Sequence, residues 1–141
     1  VYTKWLKETN IKDINLTGGK CASLGEMINN LKSLDIKIPD GYIVTSIAYE
    51  YFMNFNNLNN KIMDIINQMD VDDIEQLKIN SQNIRNLIIK SEYPNDIKKE
   101  ILDKYNELST IYLNTNVDVA VRSSGINEDL PDASFAGQQD T

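Results

Sequence analysis

Histidine is absent from the 141 residues of this chain. Without an imidazole, the chain alone cannot form a Ser-His-Asp or Cys-His nucleophile system, or a metal site with histidine ligands. The single cysteine, Cys21, excludes an intramolecular disulfide and fits a reducing compartment. Basic residues are also scarce, 14 against 21 acidic ones, for a net charge of -7. This balance argues against nucleic acid as a partner. A small anion such as phosphate still requires only a local positive site.

Long apolar runs are missing as well. None approaches the ~20 residues that a membrane span requires, and no leader resembles a signal peptide. The apolar fraction of 41% and the charged fraction of 25% are typical of a globular protein. We therefore expect a cytoplasmic protein without a membrane partner, forming one domain with its own core.

Helical periodicity dominates the first half of the chain. Apolar residues recur at helical spacing through 16–34, with Thr17 and two glycines where an N-cap and an entry turn are expected. A turn signal then precedes a short apolar strand, 42–44. Thr45 or Ser46 can cap the helix that follows it.

The second half begins with helices and ends with a change of period. Asp72 with Glu75 resembles a capping box, and Pro94 suits the first turn of the next helix. One apolar stripe on that helix is assigned to packing and comprises Ile97, Ile101, Tyr105, Leu108 and Tyr112. Residues 117–122 alternate between valine and other residues, which predicts a half-buried strand. The chain is thus expected to be α+β, with helices covering a small sheet.

Two segments have a composition suited to anion binding. Gly18, Gly19 and Lys20 stand at a predicted helix start, where glycines permit close backbone approach and the first N–H groups and the helix dipole favour an anion. The Walker A pattern fails here, because Ile14 replaces its first glycine and Cys21 its magnesium-binding hydroxyl residue. A solvated helix start remains the alternative interpretation of this segment.

The other segment follows the predicted strand. Arg122 stands at the strand end, and its forked guanidinium matches phosphate oxygens. Small residues follow, and small residues expose the backbone N–H groups that a loop over phosphates uses. The candidates for such a loop are Ser123, Ser124, Ser134 and Ala136. Composition alone fits an ordinary surface loop equally well.

Three stretches resemble the phosphoenolpyruvate synthase and pyruvate, phosphate dikinase family in its N-terminal nucleotide-binding domain. They read GGKCASLGEMI, IPDGYIVTSIAYEYF and VAVRSSGINEDLPDASFAGQQDT, in the family's order and with its spacing. The resemblance covers essentially all of residues 1–141, but only the opening part of the family's ATP-grasp-type domain, and is closest to phosphoenolpyruvate synthase. It implies that this chain is an incomplete part of that domain.

The resemblance also implies roles for particular residues. Lys20 and Arg122 match family residues that contact the phosphates of ATP, and Gly137 and Thr141 match positions that contact the nucleotide. ATP is then the ligand, and Mg²⁺ would be held by residues outside the chain. No catalytic residue or metal ligand is expected within it. One departure stands out, because Gly125-Ile126-Asn127 replace the usual Ala-Thr-Ala after the two serines.

In this family ATP phosphorylates a histidine on another domain, and a third domain passes the phosphoryl group to pyruvate. The resemblance therefore implies a phosphotransferase that makes phosphoenolpyruvate and releases AMP and phosphate, with phosphohistidine and pyruvate-binding domains as partners in the full-length protein. This part alone is expected to be inactive. A rifampicin-type antibiotic phosphotransferase, with the same kind of ATP domain, remains open, as does a non-catalytic nucleotide-binding or partner-binding module.

Overall fold

The computed structural model describes residues 1–127, which contain five α-helices and one small sheet. The strands are β1 (Thr3–Trp5) and β2 (Tyr42–Val44). The helices are α1 (Ile14–Leu31), α2 (Ser46–Phe55), α3 (Leu58–Asn67), α4 (Ile74–Ile89) and α5 (Asn95–Ile111). Short 3-10 turns occupy Leu6–Glu8, Ile11–Asp13 and Lys32–Leu34. The expectation of an α+β chain with a small sheet is confirmed.

The described residues fall into two units. One comprises Val1–Ala48 together with the segment from Asp96 onward, and the other comprises Tyr49–Asn95. Both segments singled out for anion binding belong to the first unit.

The sheet of the first unit pairs β1 with β2 in antiparallel register, with Trp5 opposite Tyr42. The Trp5 ring is 6% exposed and meets the Tyr42 ring edge-on at a centroid distance of 6.0 Å. The Lys104 ammonium of α5 lies 4.6 Å from the Trp5 ring centroid, and the Tyr42 hydroxyl donates to the carbonyl of Ile101 at 3.2 Å. Aromatic packing and these polar contacts fix α5 against the sheet.

Several sequence expectations are confirmed around this core. The strand at 42–44 is present, and the Thr45 hydroxyl accepts the N–H of Ala48 to cap α2. In the α5 stripe, Ile97 and Leu108 are buried. Tyr112 follows the helix end and is 47% exposed, so it does not belong to the packed stripe. Its hydroxyl instead accepts the N–H of Asp40 at 2.8 Å.

Two helix starts differ from the expectation by one residue. The cap of α4 is Asp73, whose carboxylate accepts the N–H groups of Glu75 and Gln76, because α4 begins at Ile74. Asp72 was therefore the wrong choice between two consecutive aspartates, either of which suits an N-cap. Pro94 directly precedes α5 rather than lying in its first turn.

The predicted strand at 117–122 was wrong for the described part of the chain. Val119 and Val121 are 49% and 78% exposed, and the one sheet within residues 1–127 consists of β1 and β2. Alternation predicts which side chains share a face, but a strand exists only where backbone groups find a neighbouring strand. Within residues 1–127, Arg122 therefore follows a segment without a neighbouring strand and does not end a strand.

The second unit contains α3 and α4. Leu58 at the start of α3 is fully buried. The Asn56 amide holds the segment before α5 by two hydrogen bonds to the Glu92 backbone, at 2.9 and 3.2 Å. The rings of Phe52 and Tyr93 approach to a centroid distance of 5.1 Å. This unit contains none of the candidate site residues.

Gly25 is required by close packing within α1. A Cβ at this position would overlap the hydroxyl of Thr9, which is fully buried, and would approach the carbonyl oxygen of Leu6 to 2.8 Å. We expect Gly25→Ala to lower the free energy of unfolding by about 1–3 kcal/mol, the usual cost of overpacking. Chemical denaturation measures the loss. Gly41→Ala is the control, because its Cβ would meet only the Leu6 side chain, which can move. Equal stability of the two variants would contradict the packing seen here.

Asp13 couples stability to pH at the start of α1. Its carboxylate accepts the N–H of Asn10 at 2.9 Å and the ammonium of Lys4 at 3.1 Å. The backbone hydrogen bond from Asn10, followed by the bond from Lys4, holds the pKa of Asp13 below its ordinary value of 3.8. A lowered carboxyl pKa stabilises the fold above the unfolded-state pKa, and this stability is lost as the pH falls through the folded-state pKa.

We therefore expect Asp13→Asn to lower the melting temperature at neutral pH and to have a vanishing effect below the folded-state pKa. Thermal unfolding as a function of pH measures both the decrease at neutral pH and its disappearance in acid. Asp64→Asn is the control, since the Asp64 carboxylate forms no hydrogen bond or ion pair among residues 1–127. A decrease in the melting temperature of Asp13→Asn that stays equally large in acid would contradict the stabilising role of the ionised Asp13 carboxylate.

Candidate functional site

A break at Gly18 divides α1. Gly18 has φ 77° and ψ 162°, a conformation essentially restricted to glycine, so the helix stops after its first turn and restarts at Gly19. The expected entry turn thus exists, but it lies inside α1. Thr17 was the wrong choice of cap, because its hydroxyl donates back to the carbonyl of Asp13 at 3.0 Å. The cap comes from a distant part of the chain.

The segment 123–125 lies directly against this break. The Ser124 hydroxyl donates to the carbonyl of Thr17 at 2.8 Å and accepts the N–H of Cys21 at 3.1 Å. The N–H of Gly19 donates to the carbonyl of Gly125 at 3.0 Å. A residue 103 positions away from Cys21 therefore caps the restarted helix and also satisfies the last carbonyl before the break.

Close contact explains why position 18 holds glycine. A Cβ on Gly18 would overlap the carbonyl oxygen and the hydroxyl of Ser124. The backbone that approaches Gly18 so closely is the chain's own, whereas the sequence had suggested a ligand there. The N–H groups of Gly19 and Cys21 are likewise bonded within the protein. Phosphate contacts by Gly18, Gly19, Ser123 and Ser124 stay predictions.

Lys20 is held beside the same segment. It lies between Gly19 and Cys21, and its ammonium donates to the carbonyl of Ser123 at 3.1 Å. Arg122 precedes Ser123 and is exposed. The structure therefore brings together two segments, 18–20 and 122–125, which the sequence suggested separately. Each supplies one basic side chain.

Gly125 departs from the residue usual in the resembled family, but it does not have the conformation that would require glycine. Among the described residues Gly18 is the one glycine with a positive φ. Gly125 contributes its carbonyl to Gly19, which any residue at this position can supply. Ile126 is 44% exposed. The predicted nucleotide contacts of Ser134, Ala136, Gly137 and Thr141 lie outside the described residues.

Residues 1–127 hold no cluster of three or more Cys, Asp or Glu side chains that could bind a metal ion. Over the same range, no helix is long and apolar enough to span a bilayer.

Comparison with known proteins gives consistent matches. Residues 14–141 match the family described as pyruvate phosphate dikinase, AMP/ATP-binding domain. The chain is 53% identical over 137 residues to phosphoenolpyruvate synthase of Aquifex aeolicus (strain VF5), covering 97% of the chain and 16% of that protein. It is 49% identical over 140 residues to phosphoenolpyruvate synthase of Helicobacter pylori (strain ATCC 700392 / 26695), covering 99% of the chain and 17% of that protein.

A more distant relative gives the same match. The chain is 38% identical over 137 residues to phosphoenolpyruvate synthase of Escherichia coli (strain K12), covering 97% of the chain and 17% of that protein. The chain thus spans 16% to 17% of the length of these three curated relatives.

Proposed function

The chain belongs to the family of the pyruvate phosphate dikinase AMP/ATP-binding domain, and from this membership we propose that its site binds the phosphates of ATP. The observation that carries the proposal is the fixed position of Lys20 beside the Arg122–Gly125 segment. Two cations on segments that are hydrogen-bonded to each other suit a polyphosphate, since both can attract its negatively charged oxygens at the same time.

The two cations have different tasks. Lys20 supplies a compact charge on a turn whose N–H groups at Gly19 and Cys21 are hydrogen-bonded to Gly125 and Ser124. Arg122 supplies a planar fork that can bind two oxygens of one phosphate. The N–H groups of Gly19 and Cys21 are already hydrogen-bonded within the protein. The side chains of Lys20 and Arg122 therefore provide the charge complementarity of the proposed site.

The proposal also covers the full-length protein of which this chain is a part. Residues 1–141 form the first part of an ATP-grasp-type domain in a cytoplasmic enzyme that converts pyruvate and ATP into phosphoenolpyruvate, AMP and phosphate. The phosphoryl group passes through a phosphohistidine on another domain, and Mg²⁺ is held by residues outside this chain. The relatives are phosphoenolpyruvate synthases, which supports this reaction over transfer to an antibiotic. This part alone catalyses no turnover.

The test uses the complete protein with Mg-ATP, with and without pyruvate, while AMP and phosphate are followed. Pyruvate-dependent release of both products is the expected result. AMP formation that ignores pyruvate would refute pyruvate as the acceptor and direct the search to other acceptors, antibiotics among them. ATP binding without turnover would favour the non-catalytic module, and absence of ATP binding would refute the proposed site itself.

A further inference from the structure

In place of the phosphate contact that the sequence predicted for Ser124, we propose that Ser124 is a positioning residue, which sets the ATP affinity of Lys20 without itself contacting phosphate. The inference rests on the proposed ATP site and adds a residue whose action is indirect. It starts from the fact that the Ser124 hydroxyl bridges the two halves of α1 on either side of Gly18.

The hydroxyl proton of Ser124 is already used. A serine hydroxyl offers one proton and two lone pairs. In the structure the proton is donated to the carbonyl of Thr17 at 2.8 Å, and one lone pair accepts the N–H of Cys21 at 3.1 Å. Phosphate oxygens accept hydrogen bonds, so a serine whose proton is donated elsewhere cannot serve as their donor.

The position of Lys20 depends on this bridge. Lys20 lies between Gly19 and Cys21, whose N–H groups are bonded to Gly125 and Ser124. Its ammonium is bonded to the carbonyl of Ser123, the neighbour of Ser124. Loss of the hydroxyl removes its hydrogen bonds to the Thr17 carbonyl and the Cys21 N–H, which tie the turn that carries Lys20 to the residue before the break. Alanine has no polar group to replace either bond.

A double-mutant cycle with Lys20 in the complete protein tests the inference. Ser124→Ala is expected to raise the KM for ATP about tenfold, as the loss of one or two hydrogen bonds implies. The KM for pyruvate should not change. In the Lys20→Ala background, Ser124→Ala should change the KM for ATP less than about twofold, because residues that act through one contact are not additive.

Ser46→Ala is the matched control. The Ser46 hydroxyl also donates to a backbone carbonyl of the first turn of α1, that of Asn15, at 2.8 Å, but it does not contact the Lys20 turn. Its loss should leave the KM for ATP unchanged. Should Ser124→Ala not fold, Ser124→Cys retains a weaker donor and acceptor, and the same cycle is expected to hold with a smaller rise.

Two results would overturn the inference while the ATP site stands. One is an unchanged KM for ATP in Ser124→Ala with a lowered melting temperature, which marks a purely structural bond. The other is a rise in the KM for ATP on Ser124→Ala that is equally large in the wild-type and the Lys20→Ala backgrounds, which indicates a direct phosphate contact by Ser124. If the wild-type protein binds no ATP, the proposed function fails, and this inference fails with it.

Discussion

Replacing Gly18 with alanine is expected to abolish measurable ATP binding by the complete protein and to lower its melting temperature. At φ 77° and ψ 162° a residue with a Cβ is strained by about 1–3 kcal/mol. The added methyl would also overlap Ser124, so the segment that carries Arg122 must move away from the Lys20 turn. Calorimetric titration with Mg-ATP measures the first effect, and thermal unfolding the second.

Gly25→Ala is the matched comparison, because it strains the same helix against Thr9 and Leu6 and leaves the contact between position 18 and Ser124 in place. It should lower stability while the folded protein keeps its ATP affinity. If Gly18→Ala bound ATP as tightly as Gly25→Ala does, the contact between position 18 and Ser124 would have no part in the site.

Removal of either cation is expected to cause the second large effect. Lys20→Ala and Arg122→Ala should each raise the KM for ATP about ten- to a hundredfold, because a hydrogen bond to a charged group contributes about 1.5–3 kcal/mol. The double variant should form no AMP above background. Steady-state assays of AMP release at varied ATP measure both.

Two exposed cations of α3 and α4, Lys61 and Arg85, provide the controls. Alanine at either position should leave the KM for ATP unchanged, which separates a local contact from the general loss of one positive charge. Arg122→Lys adds a second comparison, because it keeps the charge and loses the fork. Full activity of Arg122→Ala would remove Arg122 from the proposed site.

The elements that the sequence predicted well are those specified locally. The strand at 42–44 follows a strong turn signal, and Thr45 caps α2 because a hydroxyl residue directly precedes the helix. Ile97 and Leu108 are buried because one apolar stripe of α5 determines which side faces the core.

The elements that it missed depend on distant partners. β1 has three residues, Thr3–Trp5, and exists because it pairs with β2, which lies 37 to 41 positions later in the register Trp5↔Tyr42 to Thr3↔Val44. The strand predicted at 117–122 lacks such a partner within the described residues. A pattern of alternating side chains contains no information about which backbone will be adjacent.

In the candidate site too, residue types were predictable from the sequence, whereas contacts between distant residues were not. Residue chemistry made Lys20 and Arg122 candidate anion-binding groups, and the family resemblance favoured that interpretation over a solvated helix start and an ordinary surface loop. Only the structure shows that the segments carrying these two residues are adjacent in space and that Ser124 caps α1. The hydrogen-bonded residues, Ser124 with Cys21 and with Thr17, are 103 and 107 positions apart. A serine in a run of small residues gave no signal that its hydroxyl would be used within the protein.

The most direct test of the central claim is a lysine footprint of the complete protein. Acetylation at limiting reagent, read by mass spectrometry, should fall at Lys20 when saturating Mg-ATP is present. Lys61 and Lys78, both exposed in the other unit, report the general reactivity and should not change. Selective protection of Lys20 is the predicted result. Equal acetylation of Lys20 with and without ATP, in protein that turns over ATP, would contradict the account.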